Sequence, residues 1–213
     1  GIDVAIVTDH NVYVDGPEDY YHLAGGKPGE VRRGVPEDGQ KRVLMLIGEE
    51  IHDQARQPQK NHLLAIGHNC ELATRAGDLP RLIESVRSAG GVSFIAHPYD
   101  PAAPAVGEED ISWEDWQVQG YTGLELWNGL SEFKSLLKTK LHGVYYAWNP
   151  ERIAHQPFPR VLKIWDDLLA AGQKVAAVGG SDAHALPARL GPLRRTLFPF
   201  EFHFRAINTH LLL

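Results

Sequence analysis

The chain has little of several residue types, and each scarcity excludes a class of protein. A single cysteine, Cys70, excludes an intrachain disulfide and any cysteine-rich zinc motif. No apolar run approaches the ~20 residues that a membrane-spanning helix needs. The net charge of -6 comes without the clustered Lys and Arg that bind phosphate backbones. We therefore expect neither a nucleic acid nor a membrane as a partner.

What the chain does have is length and histidine. Its 213 residues predict one domain, spanning residues 1–213 and close in size to a single α/β barrel. There are 11 histidines. Any metal chemistry would therefore rest on His and carboxylate ligands, the set that suits Zn, Mn or Fe.

The two ends of the chain are unusual. There is no initial Met, and Gly1 before the apolar run 4–7 is typical of a helix end that leads into a strand. The last residues, 211–213, form an apolar run that stops abruptly. We expect the chain to be part of a longer one. The compartment stays open, with a cytoplasmic location favoured, because a signal peptide upstream cannot be judged.

Short apolar runs separated by helical segments or long loops predict parallel strands with crossovers, and therefore an α/β fold. Loops are predicted over 12–40 and 101–120, and helices over 78–89, 131–141 and 159–171. Alternating Phe198, Phe200, Phe202 and Phe204 predict a final strand with one aromatic face. The other predicted strands are 4–7, 43–47, 62–66, 92–96, 124–127 and 175–178.

Asp182 and His184 follow the predicted strand 175–178 and the glycines Gly179 and Gly180. In an extended segment residues i and i+2 point to the same side, with Cα atoms roughly 6.5 Å apart. The pair can hold one metal ion or serve two neighbouring ions. The alternative is a polar loop that merely follows a buried strand.

The other strand ends repeat this pattern. His10, Glu50 and His97 follow apolar runs, and His62 begins one. In α/β barrels the C-terminal strand ends converge on one mouth, where ligands and catalytic groups collect. A single histidine at a strand end is more often capped or solvent-facing, but six metal-type residues at corresponding points predict a metal centre.

Five short segments carry these residues in order: Thr8–Asp9–His10–Asn11, Gly48–Glu49–Glu50–Ile51, His62–Leu63–Leu64, Ala96–His97–Pro98 and Gly180–Ser181–Asp182–Ala183–His184. In order and approximate spacing they resemble the motifs of the PHP superfamily, named for polymerase and histidinol phosphatase. Within it, the long loops resemble the carbaryl-hydrolase-like metallohydrolases. The resemblance implies a distorted (β/α)7, TIM-like barrel with two or three divalent metal ions.

The resemblance also implies a set of ligands. Glu50 would bridge two ions, sharing the first with Asp182 and the second with His62 and His97. The third ion would take His10 and His184. The resemblance places no ligand at the two acids next to these residues: we expect Asp9 to be a partner behind the ligands and Glu49 to be a solvated neighbour of Glu50.

One motif of the family has no counterpart here. The family opens with a His-x-His pair on its first strand, and no His-x-His occurs in this sequence. We expect that strand and its helix to lie upstream of Gly1, so that the barrel of this chain is incomplete. If the gene starts at Gly1, the first ion has only Glu50 and Asp182, and we expect this chain alone to be inactive.

The predicted activity is metal-dependent hydrolysis of a small-molecule phosphoester by metal-activated hydroxide, as a phosphatase or phosphodiesterase. One alternative is hydrolysis of an ester, carbamate or amide by the same cluster, and another is a non-catalytic structural or nucleic-acid-associated module. The oligomeric state stays open.

Residues that bind substrate are harder to predict. Lys60 and Arg189 could clamp an anion or simply be solvated. Asn128 could face the pocket or cap the following helix. His52 and Asp53 follow Glu50 closely and could line the pocket.

Overall fold

The computed structural model describes residues 2–14, 19–23, 31–33, 42–190 and 193–211. The helices are α1 Leu79–Ser88, α2 Gly129–Leu136, α3 Lys140–Trp148, α4 Pro159–Ala170 and α5 Phe200–Ala206. The strands are β1 Val4–Val7, β2 Asp19–Leu23, β3 Val31–Arg33, β4 Arg42–Ile51, β5 Leu63–Ile66, β6 Val92–Ile95, β7 Gly123–Asn128, β8 Ala176–Gly180, β9 Leu186–Leu190 and β10 Leu193–Leu197.

The prediction of a (β/α)7 barrel is wrong. Six strands form a strongly curled, mixed sheet in the order β1-β4-β5-β6-β7-β8, a half-barrel rather than a closed barrel. Within the described ranges, β1 and β8 do not pair, so the sheet stays open between them. Strand β2 pairs antiparallel with β4, and β3 pairs antiparallel with β2. Strands β9 and β10 form a separate two-stranded antiparallel sheet.

The direction of β5 explains why the barrel pattern fails. The pairs β4–β5 and β5–β6 are antiparallel, whereas β1–β4, β6–β7 and β7–β8 are parallel. The connection 52–62 contains no helix, so the chain turns back beside β4 instead of crossing over. Helix α1 then connects the antiparallel strands β5 and β6. Its apolar periodicity predicts the helix but not the relative direction of the two strands that it connects.

Helices α1 and α4 cover the main core. The Asp78 side chain caps α1 by accepting a hydrogen bond from the Arg81 backbone N–H at 3.1 Å. Apolar residues at helical spacing on α1 then face the sheet. The buried residues of α1 and of the strands next to it form one cluster: Ile51, Leu63, Leu82, Ile83, Val86, Ile95 and Leu124.

Several predicted elements are confirmed and others are wrong. Strand 4–7 and the helices near 78–89 and 159–171 are confirmed within one or two residues. The predicted helix 131–141 is two helices, α2 and α3, and the predicted aromatic strand is helix α5. The predicted loop 12–40 contains β2 and β3, and the rest of its course beyond Val14 lies outside the described residues.

Among the described residues, no helix is both long enough and apolar enough to cross a membrane.

Candidate metal centre

Strand register brings the first candidate ligands together. Strand β1 runs parallel to β4, and continuing its register places His10 beside Glu50. In the antiparallel pair β4–β5, Ile51 lies opposite Leu63. The next positions along each strand are therefore His52 and His62. Because Glu50 and His52 are two residues apart, their side chains share one face of the sheet.

Glu50 is the centre of this group. Its Oε1 atom lies 2.7 Å from Nδ1 of His62, 3.1 Å from Nε2 of His97 and 3.8 Å from Nδ1 of His10. Glu50, His62 and His97 are all buried, whereas the His10 side chain is 44% exposed. The ligand atoms of Glu50, His62 and His97 lie within 4.8 Å of one another, a spacing at which they could hold a metal ion.

The contacts of His62 show what this cluster requires. Its Nε2 lies 3.0 Å from the backbone carbonyl of Gln59, so Nε2–H donates there and Nδ1 carries a lone pair when the ring is neutral. That lone pair faces a carboxylate oxygen of Glu50 at 2.7 Å. Two acceptors at this distance need a cation between them, either a proton or a metal ion. The donor set therefore fits a divalent ion, since metal-bound histidines usually donate their other N–H to such a carbonyl.

The charges of the cluster are strongly coupled. Burial acts to raise the pKa of Glu50, but its contacts with His62, His97 and His10 outweigh burial and hold that pKa well below its usual range. For His97, burial acts to lower the pKa, and the contact with Glu50 raises it well above the usual value. The Nδ1 atom of His97 is buried and has no hydrogen-bond partner in the described part of the chain.

Backbone strain is concentrated around the same residues. His97 has φ 27° and Asp182 has φ 51°, both in the left-handed region that side chains other than glycine rarely adopt. Asn11 and Asn61, which directly follow His10 and precede His62, have φ 54° and 64°. Such conformations cost on the order of 1–3 kcal/mol each and collect at functional sites.

His52 belongs to a second group of close histidines, with His10 and His62. The His52 and His62 rings are stacked, with centroids 4.2 Å apart and an angle of 12° between planes. Imidazole lone pairs lie in the ring plane, so the lone pairs of stacked rings run side by side instead of converging on one ion. The group around Glu50 is therefore the better metal site, and His52 supports the His62 ring.

Asp182 and His184 lie beside this group and contact each other. Nδ1 of His184 is 3.0 Å from Oδ1 of Asp182, and this hydrogen bond raises the pKa of His184 to about 9. The His184 ring also lies 5.6 Å from the His10 ring. All six predicted ligands therefore line the same end of the sheet. Their assignment to particular ions stays a prediction.

Of the two neighbouring acids, Glu49 differs from its expected role. Glu49 is fully buried rather than solvated, because strand alternation turns it to the face opposite Glu50, where its Oε2 lies 3.3 Å from Nε2 of His68. Asp9 is exposed, and its backbone carbonyl accepts the Glu50 N–H at 3.1 Å. A role for the Asp9 carboxylate behind the ligands stays a prediction.

The predicted substrate-binding residues have different surroundings. The Lys60 ammonium lies 2.5 Å from Glu114 and 3.4 Å from Asp110, so its charge is already paired. Asn128 caps the following helix, because its Oδ1 accepts the Ser131 backbone N–H, and its Nδ2 donates to Asp182 at 3.2 Å. That Asn128 faces a substrate pocket stays a prediction. The side chain of Arg189 lies outside the described residues.

Glu125 is the site residue that sequence reasoning missed. It is buried on β7, accepts a hydrogen bond from the His97 backbone N–H at 2.8 Å, and lies close enough to Asp182 for their charges to interact. Burial raises the pKa of Glu125 to about 7. A sequence signal existed, because a Glu inside the apolar run 124–127 is rarely buried without a partner.

Comparisons with protein-family models, with curated proteins and with solved structures find no match for this chain. The site consists of a buried Glu50–His62–His97 group within metal-binding distance, with His10, Asp182 and His184 beside it.

Proposed function

We propose that this protein is a metal-dependent hydrolase that acts on small phosphoesters. The observation that carries the proposal is the 2.7 Å contact between Nδ1 of His62 and Oε1 of Glu50, with the Nε2–H of His62 directed to a carbonyl. This contact needs a proton or a metal ion between the two atoms, and His97 and His10 place two further nitrogen donors around the same Glu50 oxygen. We propose Mn, Zn or Fe as the metal, with two or three ions in all.

A divalent ion held there would lower the pKa of a bound water and polarise a phosphoryl oxygen. The protein residues have distinct tasks. Glu50 and His62 would hold the ion, and the Gln59 carbonyl, by accepting a hydrogen bond from Nε2–H, would fix the tautomer of His62. His10, being partly exposed, marks the side from which a substrate reaches the site.

The charge of the open side supports an anionic substrate. The hydrogen bond to Asp182 raises the pKa of His184 to about 9, so this ring has an N–H donor and a positive charge near neutral pH as long as no ion is bound to it. Its ring lies next to that of His10 at the entrance. A phosphoester fits this environment better than a neutral ester does, because its negative charge would interact with the ion at Glu50 and, when His184 binds no ion, with the His184 imidazolium as well.

The test is an assay of the protein with Mn²⁺ or Zn²⁺ against an aryl phosphate, an aryl phosphodiester, an aryl acetate and an aryl carbamate. We expect turnover of the phosphoesters and loss of that turnover in Glu50→Gln. Ester or carbamate turnover without phosphoesterase activity would reverse the substrate class. Absence of stoichiometric metal would favour a non-catalytic module.

Glu49→Gln is the matched control for Glu50→Gln. It makes the same change at the adjacent residue, on the opposite face of β4. Burial raises the pKa of Glu49, which brings it closer to the neutral form that Gln mimics. Loss of a residue that hydrogen-bonds to a metal ligand typically weakens metal binding ~10–100-fold. We expect Glu50→Gln, which changes a ligand itself, to weaken metal binding by more than this. We expect Glu49→Gln to leave metal binding unchanged.

A further inference from the structure

Strand β7 contains an irregularity that turns two polar side chains to the same side. Glu125 pairs with Val178 and Trp127 pairs with Gly179, so the register shifts by one residue between them. Such a bulge re-aims the side chains that follow it. As a result, Nδ2 of Asn128 donates to Oε2 of Glu125 at 2.9 Å, although the two residues are three apart on a strand.

This Glu125–Asn128 pair, called here the β7 bracket, contacts a candidate ligand on each side. Oε2 of Glu125 accepts the His97 backbone N–H at 2.8 Å, and Nδ2 of Asn128 also donates to Oδ2 of Asp182 at 3.2 Å. Both members of the bracket are at least nine-tenths buried. The bracket is fixed in turn by α2, because Oδ1 of Asn128 accepts the Ser131 backbone N–H at 2.8 Å.

The two residues that the bracket contacts are both strained. His97 and Asp182 have positive φ angles of 27° and 51°, and neither is glycine. A conformation that costs on the order of 1–3 kcal/mol persists only where surrounding contacts determine it. The hydrogen bond to the His97 N–H acts on the strained backbone itself, and the bond to Asp182 fixes the direction of its carboxylate.

We propose that the β7 bracket is the positioning device of the metal centre: Glu125 and Asn128 hold the strained residues His97 and Asp182 in the arrangement that binds metal. The proposal rests on the proposed function, since it takes His97 and Asp182 to be ligands. Glu125 and Asn128 act through these residues and are positioning residues, not ligands.

The test compares Glu125→Leu, Glu125→Gln and Asn128→Ser, with Co²⁺ as the probe. Leucine fills a similar volume without an acceptor. Glutamine keeps one oxygen that can accept both hydrogen bonds. Serine keeps a cap for α2 but removes the donor to Asp182. We expect Co²⁺ binding to weaken about 10–100-fold in Glu125→Leu and Asn128→Ser, and less than about fivefold in Glu125→Gln.

Glu132→Leu is the matched control. Glu132 is another buried carboxylate, and it accepts hydrogen bonds from the Trp127 indole at 2.7 Å and the His155 backbone N–H at 2.8 Å. None of these partners is a candidate ligand. We expect Glu132→Leu to lose stability as Glu125→Leu does, yet to keep the parent affinity for Co²⁺ and the parent visible Co²⁺ spectrum, which reports coordination geometry.

A second readout needs no metal. Hydrogen exchange of the His97 backbone amide in the metal-free protein should accelerate in Glu125→Leu and stay unchanged in Glu132→Leu. Because no metal is present, this comparison remains valid even if a variant binds Co²⁺ poorly through loss of stability. Parent-like Co²⁺ affinity in both Glu125→Leu and Asn128→Ser would overturn the bracket alone. Co²⁺ binding without hydrolysis by the parent would overturn only the proposed activity, and absence of Co²⁺ binding would overturn both.

Discussion

At the scale of single residues, the contact between Glu50 and its histidines implies competition between protons and metal. The contact with Glu50 raises the pKa of His97, so this imidazole is protonated near neutral pH when no metal is bound. A histidine must be neutral to bind a metal, and metal binding therefore releases protons. The Glu50 oxygen that stabilises the His97 imidazolium would also be a ligand of a metal ion bound at this site.

This competition predicts that metal affinity rises with pH. Below the raised pKa of His97 each displaced proton increases the apparent affinity by up to about tenfold per pH unit. We expect titration calorimetry with Mn²⁺ between about pH 6 and pH 8, in buffers of different ionisation enthalpy, to show tighter binding at the higher pH with release of at least one proton. An affinity that does not change over this range would contradict a protonated His97.

Gly180 illustrates a residue whose side chain is excluded by the site. A Cβ atom at this position would lie 2.9 Å from Oε1 of Glu125, closer than such atoms normally approach. Glu125 cannot move away freely, because its other oxygen accepts hydrogen bonds from His97 and Asn128. Gly180 therefore makes room for the buried carboxylate of Glu125.

Gly180→Ala is accordingly predicted to destabilise the protein by about 1–3 kcal/mol, the usual cost of overpacking. Chemical denaturation of the metal-free protein measures the change. Gly143→Ala is the control: its nearest neighbour would be a Leu137 methyl at 3.8 Å, and an alanine inside helix α3 should add roughly 0.5–1 kcal/mol. Equal stability changes in the two variants would show that Glu125 yields to the methyl group.

At the scale of elements, a buried ion pair between Lys134 and Asp100 links helix α2 to the segment that follows His97. The Lys134 ammonium is paired with Asp100 and donates to the Glu109 carbonyl at 2.9 Å, and Oδ2 of Asp100 accepts from the Ser131 hydroxyl at 2.5 Å. Both charged side chains are more than nine-tenths buried. Removing one of two buried charges leaves the other without compensation.

We therefore expect Lys134→Met to lower the free energy of unfolding by about 3–5 kcal/mol. The double variant Asp100→Asn, Lys134→Met should recover much of this loss, because no buried charge remains. Lys163→Met breaks an exposed pair with Asp167 on α4 and should cost no more than about 0.5 kcal/mol. Urea denaturation of the four proteins tests the order, and a loss in Lys134→Met as small as in Lys163→Met would refute it.

The elements also show what the sequence can and cannot predict. Helix α1 has a capping Asp, apolar spacings of three and four, and a terminal glycine, and all three signals agree with the structure. In α5, by contrast, the phenylalanines alternate as in a strand but equally fit helical pairs: Phe200 and Phe204 stack with centroids 6.1 Å apart. A segment this short satisfies both periods, and only tertiary packing decides between them.

The candidate site was predictable in its members but not in its connections. Residues of metal-binding type at strand ends were visible in the sequence, because strand ends meet at one edge of a sheet. The antiparallel course of β5, the stacking of His52 on His62 and the bulge that aims Glu125 depend on register. Register is set by long-range pairing, which no local pattern encodes.

At the scale of the whole molecule, the candidate ligands come from strands across the full width of the open sheet. His10 follows β1 at one edge, Glu50 belongs to β4, His97 follows β6, and Asp182 follows β8 at the other edge. The half-barrel has no strand pairing between β1 and β8 in its described part, so contacts across the opening depend on side chains such as those of His10 and His184.

A metal ion bound to these residues should therefore stabilise the entire fold. Binding to the folded state alone adds about 2.7 kcal/mol at a free metal concentration of 100 times Kd. For a chain of 213 residues this corresponds to a rise in Tm of about 5–10 °C. Thermal unfolding with Mn²⁺ or Zn²⁺ and then with excess chelator measures the rise and its reversal. Glu50→Gln should show no rise and Glu49→Gln the full rise; an equal response from both variants would place the stabilising ion elsewhere on the molecule.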